Sequence, residues 1–367
     1  MKHIKKDPLL IISTIIAIIT TLIVGFPKDL KFLHIDTLLL LYMQMIVVYS
    51  LTEENFFDFI SQKILKKVSS AKKFSILLVN LCFVYSMFVS NDITLLTFVP
   101  LTISIIGNSN PNYLIKLLVL QTIAANLGGM MMPQGNPQNV FIFAQYNMSL
   151  YDFLSCVIPL GLIAVILINL IMFSWKNGNS INIDTNKTIK LNYPKICLLL
   201  ISFILLVITV IQRQLIVYTS IFTLTVILFI EPKSIYHADY ELLATFVVLF
   251  LTSYNISNMP AVVTKILFIL EKSPMASIII TSQIISHVPA SVLLSQFVHN
   301  SRDILLGANI GALGTLIASM ASLITFRYYS KVKDSNILKY IKEFTIYNAM
   351  FMFILILLSM IFKGIEI

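Results

Sequence analysis

The chain has 367 residues, of which 57% are hydrophobic and only 12% are charged. Because soluble domains carry about 25% charged residues, this composition excludes an ordinary soluble protein. The net charge of +9 comes from lysines and arginines that flank apolar runs, which is typical of membrane topology rather than of nucleic-acid binding.

Apolar runs of about 20 residues recur along the chain and predict an all-α polytopic membrane protein. Spans are predicted near residues 9–26, 35–51, 112–146, 152–174, 194–211, 215–230, 243–257, 303–325 and 344–362. Polar and glycine-rich segments such as "GGMMMPQGNPQN" interrupt 112–146 and 303–325. Two further apolar blocks, 74–107 and 274–300, each have a polar break in the middle.

The two broken blocks contain the motifs "SND" and "SHVPAS" at their centres. Each block is either a re-entrant hairpin or a pair of closely connected membrane spans. Both alternatives place the connecting loops on the same sides of the membrane. Most lysines and arginines then fall on one side, which predicts an N-terminus inside and a C-terminus outside the cell. The three cysteines are far apart and do not have the spacing of a metal site.

One order of elements occurs twice, which predicts an inverted repeat. A span, an amphipathic stretch, a broken block, an interrupted span and a final span follow one another from residue 35 and again from residue 243. "NLGG" at 126–129 corresponds to "NIGA" at 309–312, and the first copy starts inward whereas the second starts outward. This architecture is typical of secondary transporters.

The predicted organisation has three parts. Residues 1–175 form the first repeat, 176–193 form a cytoplasmic linker and 194–367 form the second repeat. The elements inside the repeats are an inner hairpin at 72–107, an unwound helix at 112–146, an outer hairpin at 274–300 and an unwound helix at 303–325.

Broken helices within a membrane predict a binding site. Unpaired backbone groups cost several kcal/mol each in hydrocarbon, so such breaks persist only inside protein or beside a wet cavity. Helix N-termini at a break favour anions, whereas free carbonyl groups favour cations. Four breaks in two inverted pairs can therefore meet and form one site.

Asp92 is the only charged residue of block 74–107, and an intramembrane carboxylate is functional by default. It is predicted to bind a cation or a proton, or to cap the helix that starts at Ile93. His287 lies at the tip of the second block, at the position equivalent to Asn91. It is either a hydrogen-bonded structural group or a ligand and proton carrier, since an unperturbed histidine has a pKa near 6.5. Asp92, His287 and Ser286 lack the nucleophile elbow of a hydrolase, so no enzyme activity is expected.

The segments "SNDITLLTFVPLTI", "AANLGGMMMPQGNPQN", "SHVPASVLL" and "GANIGALGTLIAS" resemble the ion transporter superfamily. Its members include arsenite permeases, NhaD-type sodium/proton antiporters, citrate carriers and divalent-anion/sodium symporters. The resemblance covers residues 35–362 and is closest to the arsenite permease and NhaD branch, with its uncharacterised bacterial anion permeases.

The resemblance implies that two re-entrant hairpin tips meet two unwound helices and bind sodium and substrate there. It also implies elevator-type movement against a scaffold that often forms a homodimer. The implied substrate-binding residues are Ser90, Asn91, Asn136, Pro137, Ser286, His287, Asn309, Gly314 and Thr315. The implied ion-coupling residues are Asp92, Ser90, Asn126, Gly128, Gly129 and Gly311.

Two positions depart from the family pattern. His287 replaces the asparagine that the second tip commonly has, which puts a second cation site in question. Asp92 replaces the threonine of the divalent-anion symporters, and its carboxylate would repel a dicarboxylate.

The sequence therefore predicts a secondary active transporter of a small anion or oxyanion in the bacterial cytoplasmic membrane, coupled to sodium or protons. The alternative is a sodium/proton antiporter that uses Asp92, and an intramembrane enzyme is a more distant alternative. The expected partners are the anionic substrate and the lipid bilayer, with no nucleic acid. No cofactor or metal is expected beyond sodium or a proton as the coupling ion.

Overall fold

The computed structural model describes residues 8–65, 70–106, 111–175 and 191–365, which are helical with short connections and contain no β-strand in these ranges. The helices up to residue 175 are α1 (Pro8–Val24), α2 (Ile35–Glu53), α3 (Phe56–Leu65), α4 (Ala71–Phe88), α5 (Asn91–Ile106), α6 (Pro111–Met130), α7 (Pro137–Gln145) and α8 (Leu150–Phe173). The later helices are α9 (Tyr193–Ile211), α10 (Ile216–Ile230), α11 (Tyr240–Ser257), α12 (Pro260–Leu270), α13 (Pro274–Ile285), α14 (His287–Leu294), α15 (Ser301–Gly311), α16 (Met320–Tyr329) and α17 (Ile337–Ile365). The predicted linker 176–193 lies mostly outside the described residues.

The all-helical multi-pass architecture is confirmed. Among the described residues, 8 helical segments are long and apolar enough to cross a membrane. Large apolar side chains such as Leu22 and Phe229 lie on the surface, 82% and 86% exposed, where a bilayer would cover them. Helix α6 differs from the other spans because 89% of the residues in its apolar stretch are buried inside the protein, against 28% to 50% in the other spans. It is therefore the central helix of the bundle.

Each predicted polar break interrupts a helix. The first block divides into α4 and α5 at Val89–Ser90, and the second divides into α13 and α14 at Ser286. The two interrupted spans divide into α6 and α7, and into α15 and α16. Because α4 alone has the length of a span, re-entrance of 72–107 stays a prediction.

The two interrupted spans break for different chemical reasons. In the first, Pro137 occupies the first helical position of α7. An N–H at this position has no partner within the helix, so a proline there costs no hydrogen bond. In the second, Gly314 adopts a φ of 110°, a conformation that residues with a side chain rarely take. The first break is therefore fixed by proline and the second by glycine.

The broken helices pack in a reciprocal pattern. Helices α4 and α5 pack on α6, and α13 and α14 pack on α15. In addition, α5 contacts α16 while α14 contacts α7. Each broken block thus packs on the interrupted span that follows it in the chain. It also contacts the helix after the break in the other interrupted span, which is α16 for the first block and α7 for the second. This packing brings all four breaks together.

Candidate functional site

The four helices that follow the breaks begin at one small cavity of about 70 Å³. The residues at these helix starts that line it are Asn91 and Asp92 of α5, Pro137 and Gln138 of α7, Ser286 and His287 at the start of α14, and Met320 of α16. The first turn of α11 contributes further lining residues, among them Asp239 and Glu241. Since a helix N-terminus carries a partial positive charge, these four starts can stabilise an anion, although carboxylates also line the cavity.

Asn126, near the end of α6, joins the first tip to the second interrupted helix. Its Oδ1 accepts hydrogen bonds from Asn91 Nδ2 at 2.8 Å and from Ser319 Oγ at 3.0 Å. Ser319 is the residue before α16. Asn126 and both of its donors are nearly fully buried.

Asn309 makes the corresponding contact from the second half. Its Nδ2 donates to Asn139 Oδ1 at 2.8 Å, and Asn139 lies in the first turn of α7. The asparagine that precedes each break therefore bonds to the beginning of the helix that follows the other break. Through these contacts the two asparagines hold the starts of α5, α16 and α7 in one arrangement.

The carbonyl of Ala318 organises the second tip. It accepts hydrogen bonds from the backbone N–H of His287 at 3.0 Å, from His287 Nδ1 at 2.7 Å and from Ser286 Oγ at 3.2 Å. Ser286 has a φ of 75°, which is strained for a residue with a side chain. His287 thus makes the hydrogen bond expected of a structural group, which was the first of its two interpretations. It also lines the cavity, and its role as a ligand stays a prediction.

Side-chain amides satisfy carbonyl groups that the breaks release. Asn139 Nδ2 donates to the carbonyl of Gly129 at 3.0 Å. Gln283 Nε2 donates to the carbonyls of Gly311 and Leu313, both at 2.9 Å. Gln283 Oε1 also accepts the backbone N–H of Thr315 at 2.8 Å. The carbonyls of Gly129, Gly311 and Leu313 are therefore already hydrogen-bonded within the protein.

The glycines near the breaks permit close packing. A Cβ on Gly128 would collide with the backbone carbonyl of Phe83 in α4. A Cβ on Gly129 would lie 2.6 Å from the side-chain amide of Asn136. These two glycines let α6 approach its neighbours, and their ion-coupling role stays a prediction.

Asp92 lies where two cavities meet. Helix α5 begins at Asn91, two residues earlier than expected, so Asp92 occupies its first turn, where the helix dipole stabilises a carboxylate. Its Oδ1 is buried and has no hydrogen-bond partner among the described residues. Asp92 lines the small cavity and also a larger one of about 440 Å³ beside it. It is therefore available to a bound cation or proton.

Gln138 was not predicted as a site residue, yet it is fully buried and lines the small cavity. Neither its Oε1 nor its Nε2 has a hydrogen-bond partner among the described residues. Buried amides are almost always bonded, so an unpartnered one beside a cavity indicates a ligand position. The sequence signal for Gln138 was only its place in "GNPQN".

The predicted site residues fall into three groups. Those that line the two cavities are Ser90, Asn91, Asp92, Pro137, Ser286 and His287. Those buried around the interrupted helices are Asn126, Gly128, Gly129, Asn136, Asn309 and Gly311. Gly314 and Thr315 lie in the segment between α15 and α16, where Thr315 is exposed and bonded to Gln283.

Replacing Gln283 by leucine is expected to destabilise the second break. The change leaves the carbonyls of Gly311 and Leu313 without their amide donor, and an unsatisfied buried group costs about 1–3 kcal/mol. We expect a clearly lower midpoint of thermal unfolding for the purified protein in detergent. Gln145→Leu, at the C-terminal end of α7, is the control and should leave the midpoint unchanged. Equal midpoints for both variants would contradict a bracing role for Gln283.

Comparison with known proteins identifies the chain's relatives. The family model described as citrate transporter matches residues 5–321. An uncharacterized transporter of Methanocaldococcus jannaschii is 33% identical over 331 residues, which cover 88% of this chain and 90% of that protein. The inner membrane protein YbiR of Escherichia coli is 23% identical over 298 residues, covering 79% of each chain. A transporter of Dictyostelium discoideum named arsB is 27% identical over 173 residues, covering 46% of this chain and 31% of that protein.

These matches confirm the resemblance to the ion transporter superfamily and indicate a transporter rather than an enzyme. The family match spans both broken blocks, the first interrupted helix and the second one as far as residue 321, so it includes every residue named for the candidate site. The chain belongs to the citrate transporter family and is a multi-pass membrane transporter.

Proposed function

We propose that this protein is a secondary active transporter that moves a small anion across the cytoplasmic membrane together with sodium ions or protons. The observation that supports this most is the convergence of four helix N-termini on the small cavity that Gln138 lines. The partial positive charges of these helix N-termini favour an anion, and no lysine or arginine is found among the described residues that line the cavity. The family model and the transporter names of its relatives agree with this proposal.

Asp92 supplies a physical reason for coupling. Its carboxylate lines the same cavity as the proposed anion, and two like charges in a buried site repel each other strongly. A sodium ion or a proton at Asp92 removes this repulsion, so the anion and the cation each favour the binding of the other. Binding of both ligands, or of neither, is the condition that a coupled transporter needs.

An inverted repeat and an elevator-type movement form part of the proposal. The reciprocal contacts of Asn126 with Ser319 and of Asn309 with Asn139 relate the two halves in the manner that a pseudo-two-fold axis would produce. The matching contacts of α5 with α16 and of α14 with α7 agree with it. In this account the broken blocks and interrupted helices move together against the remaining helices.

The larger cavity indicates which side the site faces. Its walls include the C-terminal half of α2 and the residues just before α11, among them Thr52 and His237. The positive-inside rule assigns both segments to the cytoplasmic side. We therefore propose that this structure is open to the inside.

Thiol labelling tests this orientation. In a variant with Cys82, Cys156 and Cys197 replaced by alanine, a cysteine at position Thr52 should react with a membrane-impermeant maleimide in inverted vesicles but not in intact cells. A cysteine at position Lys31, near the opposite end of α2, is the control and should show the reverse pattern. Labelling of Thr52→Cys from outside would overturn the orientation.

A cation/proton antiporter is the second candidate, and one observation favours it. Asp92 and Asp239 line both cavities and Glu241 lines the small one, whereas no lysine or arginine is found among the described residues that line them. Such an acidic lining is attractive to cations. In this case Asp92 would exchange sodium for protons without an anion.

Uptake by proteoliposomes distinguishes the two candidates. Sodium and proton gradients are imposed separately, and the accumulation of labelled arsenite, sulfate, phosphate, citrate and short monocarboxylates is measured. We expect accumulation of at least one anion under one of the two gradients. Failure of all anions, together with sodium/proton exchange, would replace the proposal by the antiporter.

A further inference from the structure

We propose that the transported anion is an organic acid with one carboxylate and an uncharged, largely apolar body that bears one further oxygen. This inference rests on the proposed function and names the substrate class of the same site. It places the carboxylate at the four helix starts and the body in the larger neighbouring cavity.

The two cavities are adjacent and differ in character. Both are lined by Asp92, Pro137 and Met320, so a ligand can extend from one into the other. The larger cavity, about 440 Å³, has walls that include Leu41, Met45, Val48, Leu96 and Phe203. A compact oxyanion would leave this apolar space unused, whereas the hydrocarbon body of an organic acid would fill it.

Two amides are among the polar residues that line the larger cavity. Gln44 lies on the face of α2 that also presents Leu41 and Val48, and Gln134 lies in the break before α7. The Nε2 atoms of both glutamines are buried and have no hydrogen-bond acceptor among the described residues. Gln134 is itself only 6% exposed. Two neutral donors beside an apolar space suit an uncharged oxygen, such as that of a ketone or a hydroxyl group.

The charges of the cavities limit the ligand to one carboxylate. Asp92 and Asp239 line both cavities, and the described lining residues include no lysine or arginine. The helix N-termini serve the first carboxylate, but a second would lie buried near acidic groups without a positive partner. A tricarboxylate such as citrate is therefore a poor match for this chain, although the family takes its name from that ion.

Three five-carbon acids isolate these features. Pentanoate has one carboxylate and an apolar chain, levulinate adds a ketone, and glutarate adds a second carboxylate instead. Binding of labelled levulinate to the purified full-length protein in detergent is measured, with the other two acids and citrate as competitors. We expect levulinate to bind roughly tenfold more tightly than pentanoate, and glutarate and citrate to compete least.

Two variants test the role of the amides. Gln44→Leu and Gln134→Leu should reduce levulinate binding to the level of pentanoate and leave pentanoate binding unchanged. Gln145→Leu is the matched control and should alter neither affinity. If a variant fails to fold, the ranking of the acids on the unaltered protein still decides the question.

The outcomes separate this inference from the proposed function. Equal binding of levulinate and pentanoate, or tighter binding of glutarate or citrate, would overturn the substrate class. Accumulation of a different anion in proteoliposomes would then leave the transporter intact. Levulinate that binds as expected, with no accumulation of levulinate or of any other anion under either gradient, would support the class of ligand and overturn the transport proposal.

Discussion

Replacing Asp92 by asparagine is expected to abolish gradient-driven anion accumulation while the protein still binds the anion. The amide preserves the shape of the side chain but cannot hold a cation or a proton. It also removes the repulsion between the carboxylate and the anion, which is on the order of 3 kcal/mol for charges about 6 Å apart at an effective dielectric constant of 20. Anion binding without a coupling cation should therefore tighten by roughly 100-fold.

Two measurements on the same preparation check this result. Equilibrium binding with and without sodium, at two pH values, reports the lost cation dependence, and uptake by proteoliposomes reports the lost accumulation. Asp58→Asn is the matched control, because Asp58 is an exposed carboxylate on α3 and should keep both properties. If Asp92→Asn retains full cation-dependent accumulation, Asp92 does not belong to the coupling site.

Replacing Gly128 by alanine is expected to be the most destabilising single methyl addition near the site. The new Cβ would collide with the backbone carbonyl of Phe83, which cannot rotate away as a side chain could. Overpacking a core typically costs about 1–3 kcal/mol, and a clash between two helix backbones should lie at the upper end of this range. We expect a lower yield of folded protein and a lower midpoint of thermal unfolding in detergent.

Gly161 is a suitable control because its nearest neighbour is a flexible side chain, whereas that of Gly128 is a helix backbone. A Cβ at Gly161 would meet the thioether of Met131, which is part of a flexible side chain and can move. Gly161→Ala should therefore shift the unfolding midpoint much less than Gly128→Ala. If the two variants are equally stable, the close approach of α4 and α6 at Gly128 does not hold the site in place.

The four breaks could be predicted because their residue types conflict with their surroundings. Clusters of proline, glycine and amides within long apolar runs disrupt a helix, and each of the four predicted segments separates two helices in the structure. A single proline does not suffice, since Pro100 and Pro159 lie inside α5 and α8. The carboxylate of Asp92 was evident for the same reason. These signals are local, so one sequence suffices to find them.

The contacts that join the breaks could not be predicted from local signals. Asn309 and Asn139 are 170 residues apart, and Ser319 and Asn126 are 193 residues apart. An amide within an apolar run shows that a partner is needed but does not show which one. Gln283 illustrates the difficulty, since its sequence position suggests only a bond within its own helix.

The larger cavity was also beyond sequence reasoning. Gln44 is a single amide within the apolar span α2, which belongs to neither a broken block nor an interrupted helix. Its relation to Gln134 arises because α2 packs against α7 in the folded chain. Specificity for the body of a substrate can thus depend on residues outside the motifs that define the family.

Cation movement in the absence of a transported anion tests the account most directly. Proteoliposomes that contain the purified protein are given a sodium or proton gradient, and internal sodium and pH are followed before and after an accumulated anion is added. We expect the cation to move only after the anion is added. Asp92 lines the cavity proposed for the anion, so the cation bound at Asp92 and the anion each favour the binding of the other. Sodium/proton exchange without any transported anion would contradict the account.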